Sequence, residues 1–102
     1  MDVSYAKGAR FERRVKRALE DRGYFVIRAS SSKPIDLVCI KNGEVLLIEC
    51  KLRARSIGRR ALEEVRRISE RTRVRGLIAT VRDGEIVLID PRTGDELSLS
   101  SI

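Results

Sequence analysis

Apolar and polar positions along this chain switch repeatedly between a helical period and a strand period. Over residues 5–22, Phe11, Val15, Ala18, Leu19 and Arg22 recur at i, i+4, i+7, i+8 spacing. That spacing predicts an amphipathic helix, and Gly23 is placed to stop it. Residues 24–27 then read as a short strand and residues 30–34 as a serine-rich loop ending in Pro34. Two apolar runs, 35–40 and 45–52, flank Asn42-Gly43. An Asn-Gly pair in that setting is the strongest short hairpin signal. Ser56 is placed to cap a second helix reaching about residue 72, with Ala61, Leu62, Val65 and Ile68 as its inner stripe. Residues 77–81 and 85–89 form a second hairpin around Asp83-Gly84, and 97–99 supply an edge strand.

A two-residue turn at Asn42-Gly43 dictates a register. Lys41 then pairs with Glu44, and the rungs above it are Ile40–Val45, Cys39–Leu46, Val38–Leu47, Leu37–Ile48, Asp36–Glu49 and Ile35–Cys50. Both faces of this hairpin are apolar, which predicts a central hairpin covered on both sides. Within it Asp36 and Glu49 stand opposite each other, Cβ atoms about 4.5–5.5 Å apart. Cys39 and Cys50 fall several rungs apart, beyond the roughly 7 Å Cα limit for a disulfide, and read as reduced core residues. Two cysteines without a histidine make a poor zinc site.

Composition narrows the function. The chain has 102 residues, 42% apolar and 36% charged, and reads as one domain over 1–102. No apolar run exceeds four residues, so neither a membrane span nor a secretory signal is expected. The reading places the protein in the cytoplasm, at the nucleoid. The net charge is +7 and is unevenly spread. Residues 1–75 carry 20 basic and 10 acidic side chains, residues 76–102 only 2 and 5. A basic region of this size points to a polyanionic partner. Arg outnumbers Lys by 17 to 5, a balance suited to bidentate phosphate contacts. With only 4% aromatic residues, a platform of many stacked bases is not expected.

Candidate chemistry concentrates on the first hairpin. Two carboxylates opposed across a ladder repel, and partial burial worsens this. Lys51, two residues past Glu49, points to the same face and offers partial compensation. A divalent cation compensates better, since carboxylate oxygens are the hard ligands Mg²⁺ prefers. Spacing alone leaves both a plain ion cluster and a metal site open. Glu12 lies on the edge of the first helix's apolar face, and Arg28 ends the first strand. Three carboxylates, a lysine and an arginine are the kit for metal-assisted phosphodiester hydrolysis. The acid-free basic run Lys51, Arg53, Arg55, Arg59, Arg60 leads into the second helix and reads as a cradle for a duplex backbone.

Asp36, twelve intervening residues and Glu49-Cys50-Lys51 resemble the PD-(D/E)xK nuclease motif, with Ile35 inserted between Pro34 and Asp36. Phe11-Glu12-Arg13, Val26-Ile27-Arg28, the serine loop and Ile35-Asp36-Leu37 resemble one branch of it, the archaeal Holliday junction resolvases. The resemblance implies an α/β restriction-endonuclease-like fold: a mixed sheet flanked by helices, in the order α-β-β-β-α-β-β. It implies an Mg²⁺-dependent endodeoxyribonuclease, with Mn²⁺ as a possible substitute, that resolves four-way junctions as a homodimer. Asp36, Glu49 and the Cys50 carbonyl would be metal ligands, Glu12 would contact the metal or its water, and Lys51 would be the catalytic lysine. Arg13 and Arg28 would bind phosphate, and Ser30, Ser31 and Ser32 would touch the substrate. The second helix departs from the pattern: it lacks aromatic residues expected at the family's dimer surface. Two alternatives stand beside this one: a nuclease of the same fold acting on duplex, flap or damaged DNA, and a non-catalytic nucleic-acid-binding module.

Overall fold

The computed structural model describes residues 3–29 and 34–102. Helix α1 spans Val3–Asp21 and is followed by strands β1 (Phe25–Arg28), β2 (Leu37–Lys41) and β3 (Glu44–Cys50). A 3₁₀ turn at Ala54–Ser56 leads into helix α2 (Arg59–Thr72), then β4 (Arg75–Arg82), β5 (Glu85–Ile89) and β6 (Glu96–Ser98). All six strands form one sheet in chain order. Every neighbouring pair is antiparallel except β3–β4, which run parallel because α2 crosses between them. The predicted order of elements is therefore present, with the edge strand added.

Gly23 ends α1 as expected. Its φ is +93°, and it donates to the Glu20 carbonyl while Tyr24 donates to that of Leu19, which together make a Schellman motif. Asn42-Gly43 and Asp83-Gly84 both show φ near +52° and +79°, the type I′ geometry that matches strand twist. The start of α2 differs from expectation. Gly58, not Ser56, stands at the cap position, without a side-chain cap bond, and Ser56 belongs to the preceding turn.

One face of the sheet is closed by α1. Phe11, Val15 and Leu19 pack on Leu37, Cys39, Leu46, Ile48, Leu77, Ala79 and Leu88. On the other face α2 lays Val65 against Ile78 and Ile89. Ser69 is buried beside it, and Ala61 and Leu62, half-buried, pack against this cluster; Ile68 is equally half-buried but does not join it. Helix and strand approach closely here because residue 76 is glycine: a Cβ on it would lie 2.9 Å from Val65 Cγ1.

The hairpin is not covered on both sides. Val38, Ile40, Val45 and Leu47 are half-buried, and Phe25 and Ile27 beside them are 68% and 44% exposed. The reason is width. A helix about 10 Å across spans roughly two strands set about 4.8 Å apart. With α2 seated on β4, the β1–β2–β3 half of that face stays open.

The register holds from Lys41–Glu44 through Leu37–Ile48 and stops there. Asp36 donates its N–H to the Ile48 carbonyl at 2.9 Å, and its own carbonyl accepts from Ala29. The expected Asp36–Glu49 and Ile35–Cys50 rungs are thus replaced by a one-residue offset where the chain leaves Pro34. Both cysteines are free, as read from their separation.

Candidate active site

The offset at Asp36 shapes the site. Asp36 Oδ2 accepts the main-chain N–H of Cys50 at 2.8 Å, which ties the end of β2 to the end of β3. The pairing of β3 with β4 continues one residue further, Lys51 donating to the Ala79 carbonyl at 2.8 Å. Asp36, Glu49, Cys50 and Lys51 therefore line one cleft of about 590 Å³. Its far wall is the start of α2, with Arg60 and Glu64 paired at 3.0 Å. Glu64 and Ser56 are cleft residues that sequence reasoning missed. The i, i+4 spacing of Arg60 and Glu64 was the available signal, but spacing does not say which way a helix face looks.

Glu49 is pushed up from 4.5 to about 8. Burial is the main cause, followed by a shared hydrogen bond with Asp36 and the Asp36 charge, against which Lys51 and the Cys50 N–H pull down. This is the signature of two carboxylates that cannot both ionise comfortably. Burial raises the thiols of Cys39 and Cys50 as well. For Cys50 the charges of Asp36, Glu12 and Glu49 add to the effect, so neither sulfur is a ready thiolate.

The remaining expected residues are distributed around the cleft. Glu12 Oε1 accepts Arg28 Nε at 2.8 Å, joining α1 to the end of β1. Glu12 is thereby not gathered with Asp36 and Glu49 into a cluster. Among the described residues, no three Asp, Glu, Cys or His side chains form a ready cation cage. Arg13 is exposed on α1, and Arg55 is exposed in the 3₁₀ turn. Arg53 is exposed and borders an adjoining groove. Ser30, Ser31 and Ser32 lie outside the described residues. Arg14 donates to the Gly84 carbonyl at 2.6 Å and fastens α1 to the β4–β5 turn.

An acid pair with a lysine at the end of the second hairpin strand, on a mixed sheet flanked by helices, is the arrangement of restriction-endonuclease-like proteins. The family model described as archaeal Holliday junction resolvase (Hjc) matches residues 3–98. A curated protein named crossover junction endodeoxyribonuclease Hjc, from Methanocaldococcus jannaschii, is 38% identical over 94 residues, 89% of this chain and 71% of the relative. The solved structure of Archaeoglobus fulgidus Hjc, titled a Holliday junction resolvase from an archaeal hyperthermophile, superposes with a TM-score of 0.71. That match has 21% identity and covers 84% of this chain and 74% of the other. The chain belongs to the archaeal Holliday junction resolvase (Hjc) family.

Proposed function

We propose that this protein is a divalent-metal-dependent endonuclease that resolves four-way DNA junctions by paired nicks, working as a homodimer. The observation that carries the site assignment is the convergence of Asp36, Glu49 and Lys51 on one cleft, with Glu49 raised to about 8 chiefly by burial and further by Asp36. Such a pair has a proton or a cation to share, and a nuclease uses a cation there. The residues fit Mg²⁺, which is commonly held by one or two carboxylates with waters and substrate phosphate completing its shell. Asp36, Glu49 and the Cys50 carbonyl would hold it, and the ion supplies charge neutralisation at the phosphate and a water of lowered pKa. Lys51 orients that water or stabilises charge on the scissile phosphate. Glu12 holds Arg28 by its Nε and leaves the rest of the guanidinium for a flanking phosphate. Arg13, Arg53 and Arg55 add exposed charge for neighbouring phosphates, and Ser30–Ser32 are proposed to touch the substrate through their hydroxyls.

Two nicks need two such sites, which a symmetric dimer supplies. The open apolar face around Phe25 and Ile27 supports self-association, because a contiguous uncovered patch on a small protein is an interaction surface. Among the described residues no helix is long and apolar enough to cross a membrane.

The test is cleavage of a labelled four-way junction beside a matched linear duplex with Mg²⁺, for wild type and Glu49→Ala. Symmetric nicks confined to the junction, lost in the variant, are expected. Equal cutting of both DNAs would reject junction selectivity, and junction binding without cutting would make the cluster structural.

A further inference from the structure

Two smaller grooves run on from the active-site cleft. One, of about 320 Å³, shares Cys50, Lys51 and Ser56 with the cleft and is walled by Lys7, Gly8 and Arg53. The next, of about 240 Å³, shares Lys7 and Leu52 with the first and adds Arg10 and Arg14. Among the described residues, no carboxylate lines either groove. Lys7, Arg10 and Arg14 stand at i, i+3 and i+7, so one face of α1 presents all three over about 10 Å of helix. Arg14 is anchored by the Gly84 carbonyl. Lys7, Arg10 and Arg53 make no salt bridge among the described residues.

Gly8 is the second observation. It sits inside α1, where glycine is the poorest helix former after proline. Packing does not explain it, since a Cβ there would meet nothing within 4 Å. What the glycine does is bare the helix backbone on the wall of a groove whose charged lining is Lys7, Lys51 and Arg53. A glycine with no internal reason at such a place fits the close approach of another backbone.

We propose that this track seats the sugar-phosphate backbone of the DNA arm leaving the cut site. Lys7, Arg10 and Arg53 take successive phosphates, and Gly8 marks the point of closest approach. This inference rests on the nuclease reading and adds to it the path of the substrate on one side of the cleft.

The experiment compares wild type, Gly8→Ala and the double variant Lys7→Ala/Arg53→Ala. Affinity for a labelled four-way junction is measured without divalent metal across a salt series, with melting temperature and Mg²⁺-dependent cleavage alongside. Gly8→Ala is expected to melt higher than wild type, because alanine is the better helix former, yet to bind about five-fold more weakly. The double variant is expected to lower the slope of log affinity against log salt by about two, one per phosphate contact. A higher-melting Gly8→Ala that binds like wild type, or an unchanged slope in the double variant, overturns the track. A wild type that neither binds nor cuts any junction overturns the nuclease reading and the track with it, so the two failures are told apart.

Discussion

Asp36 spends one carboxylate oxygen on the main-chain N–H of Cys50, 2.8 Å away, and the residue before that N–H is Glu49. The bond makes Asp36 both a clamp between two strand ends and one half of the acid pair. Asparagine keeps an amide oxygen to accept from Cys50 but offers a poorer cation ligand. Asp36→Asn is therefore expected to fold with a loss of about 1 kcal/mol or less. It should abolish Mg²⁺-dependent cleavage while retaining junction binding. Denaturant unfolding and a gel-shift assay on the same preparation separate the two roles.

The raised Glu49 pKa predicts a pH dependence with a definite sign. In the unfolded chain this carboxyl ionises near 4.5, and in the folded protein near 8. Between those values the folded state holds the extra proton, so this group's contribution to stability falls as pH rises from about 4.5 to 8. Metal-free wild type should lose melting temperature relative to Glu49→Gln across that window, and saturating Mg²⁺ should reverse the trend. Parallel pH curves for the two proteins would remove the assigned acid pair.

Arg28 pairs with Glu12 at 2.8 Å, but the arginine is more than half exposed. Exposed pairs contribute at most about 1 kcal/mol. Arg28→Ala should therefore melt within a few degrees of wild type while cleavage falls roughly ten-fold or more, the scale of a lost charged phosphate contact. Stability loss without a rate change would make the pair structural only.

Gly76 faces Val65 across the α2–β4 contact, where a new Cβ would lie 2.9 Å from Val65 Cγ1 and 3.3 Å from Ser69 Cβ. Gly76→Ala should cost about 1–3 kcal/mol through overpacking. Adding Val65→Ala removes the closest clash. The double variant should be more stable than the sum of its parts, a coupling that a thermodynamic cycle measures directly.

Phe25 is 68% exposed on the open half of the sheet, beside Ile27. Phe25→Asp should leave the monomer folded, since little of the ring is buried, and should shift the proposed dimer toward monomer in sedimentation. A dimer that survives the substitution uses another surface.

Much of the fold is legible locally. Gly23, Asn42-Gly43 and Asp83-Gly84 stand where positive φ is needed, and the two turns dictate strand register. The start of α2 was not legible, because Ser56 and Gly58 are both acceptable caps and only the path out of β3 selects between them. At the site, Asp36, Glu49 and Lys51 were singled out from register and alternation; they line one cleft, although the Asp36–Glu49 rung itself does not form. The far wall, Arg60 and Glu64, depends on how α2 docks.

Order of elements, hairpin register, the alternation that puts Glu49 and Lys51 on one face, and the free cysteines are short-range consequences of sequence. Each is set by a turn or a period within a few residues. The one-residue offset at Asp36, the Glu12–Arg28 and Arg14–Gly84 bonds, and the uncovered face at Phe25 are tertiary. They arise where α1 and α2 dock on opposite faces of the sheet. A helix covers only about two strands, and no local pattern records which two it will choose.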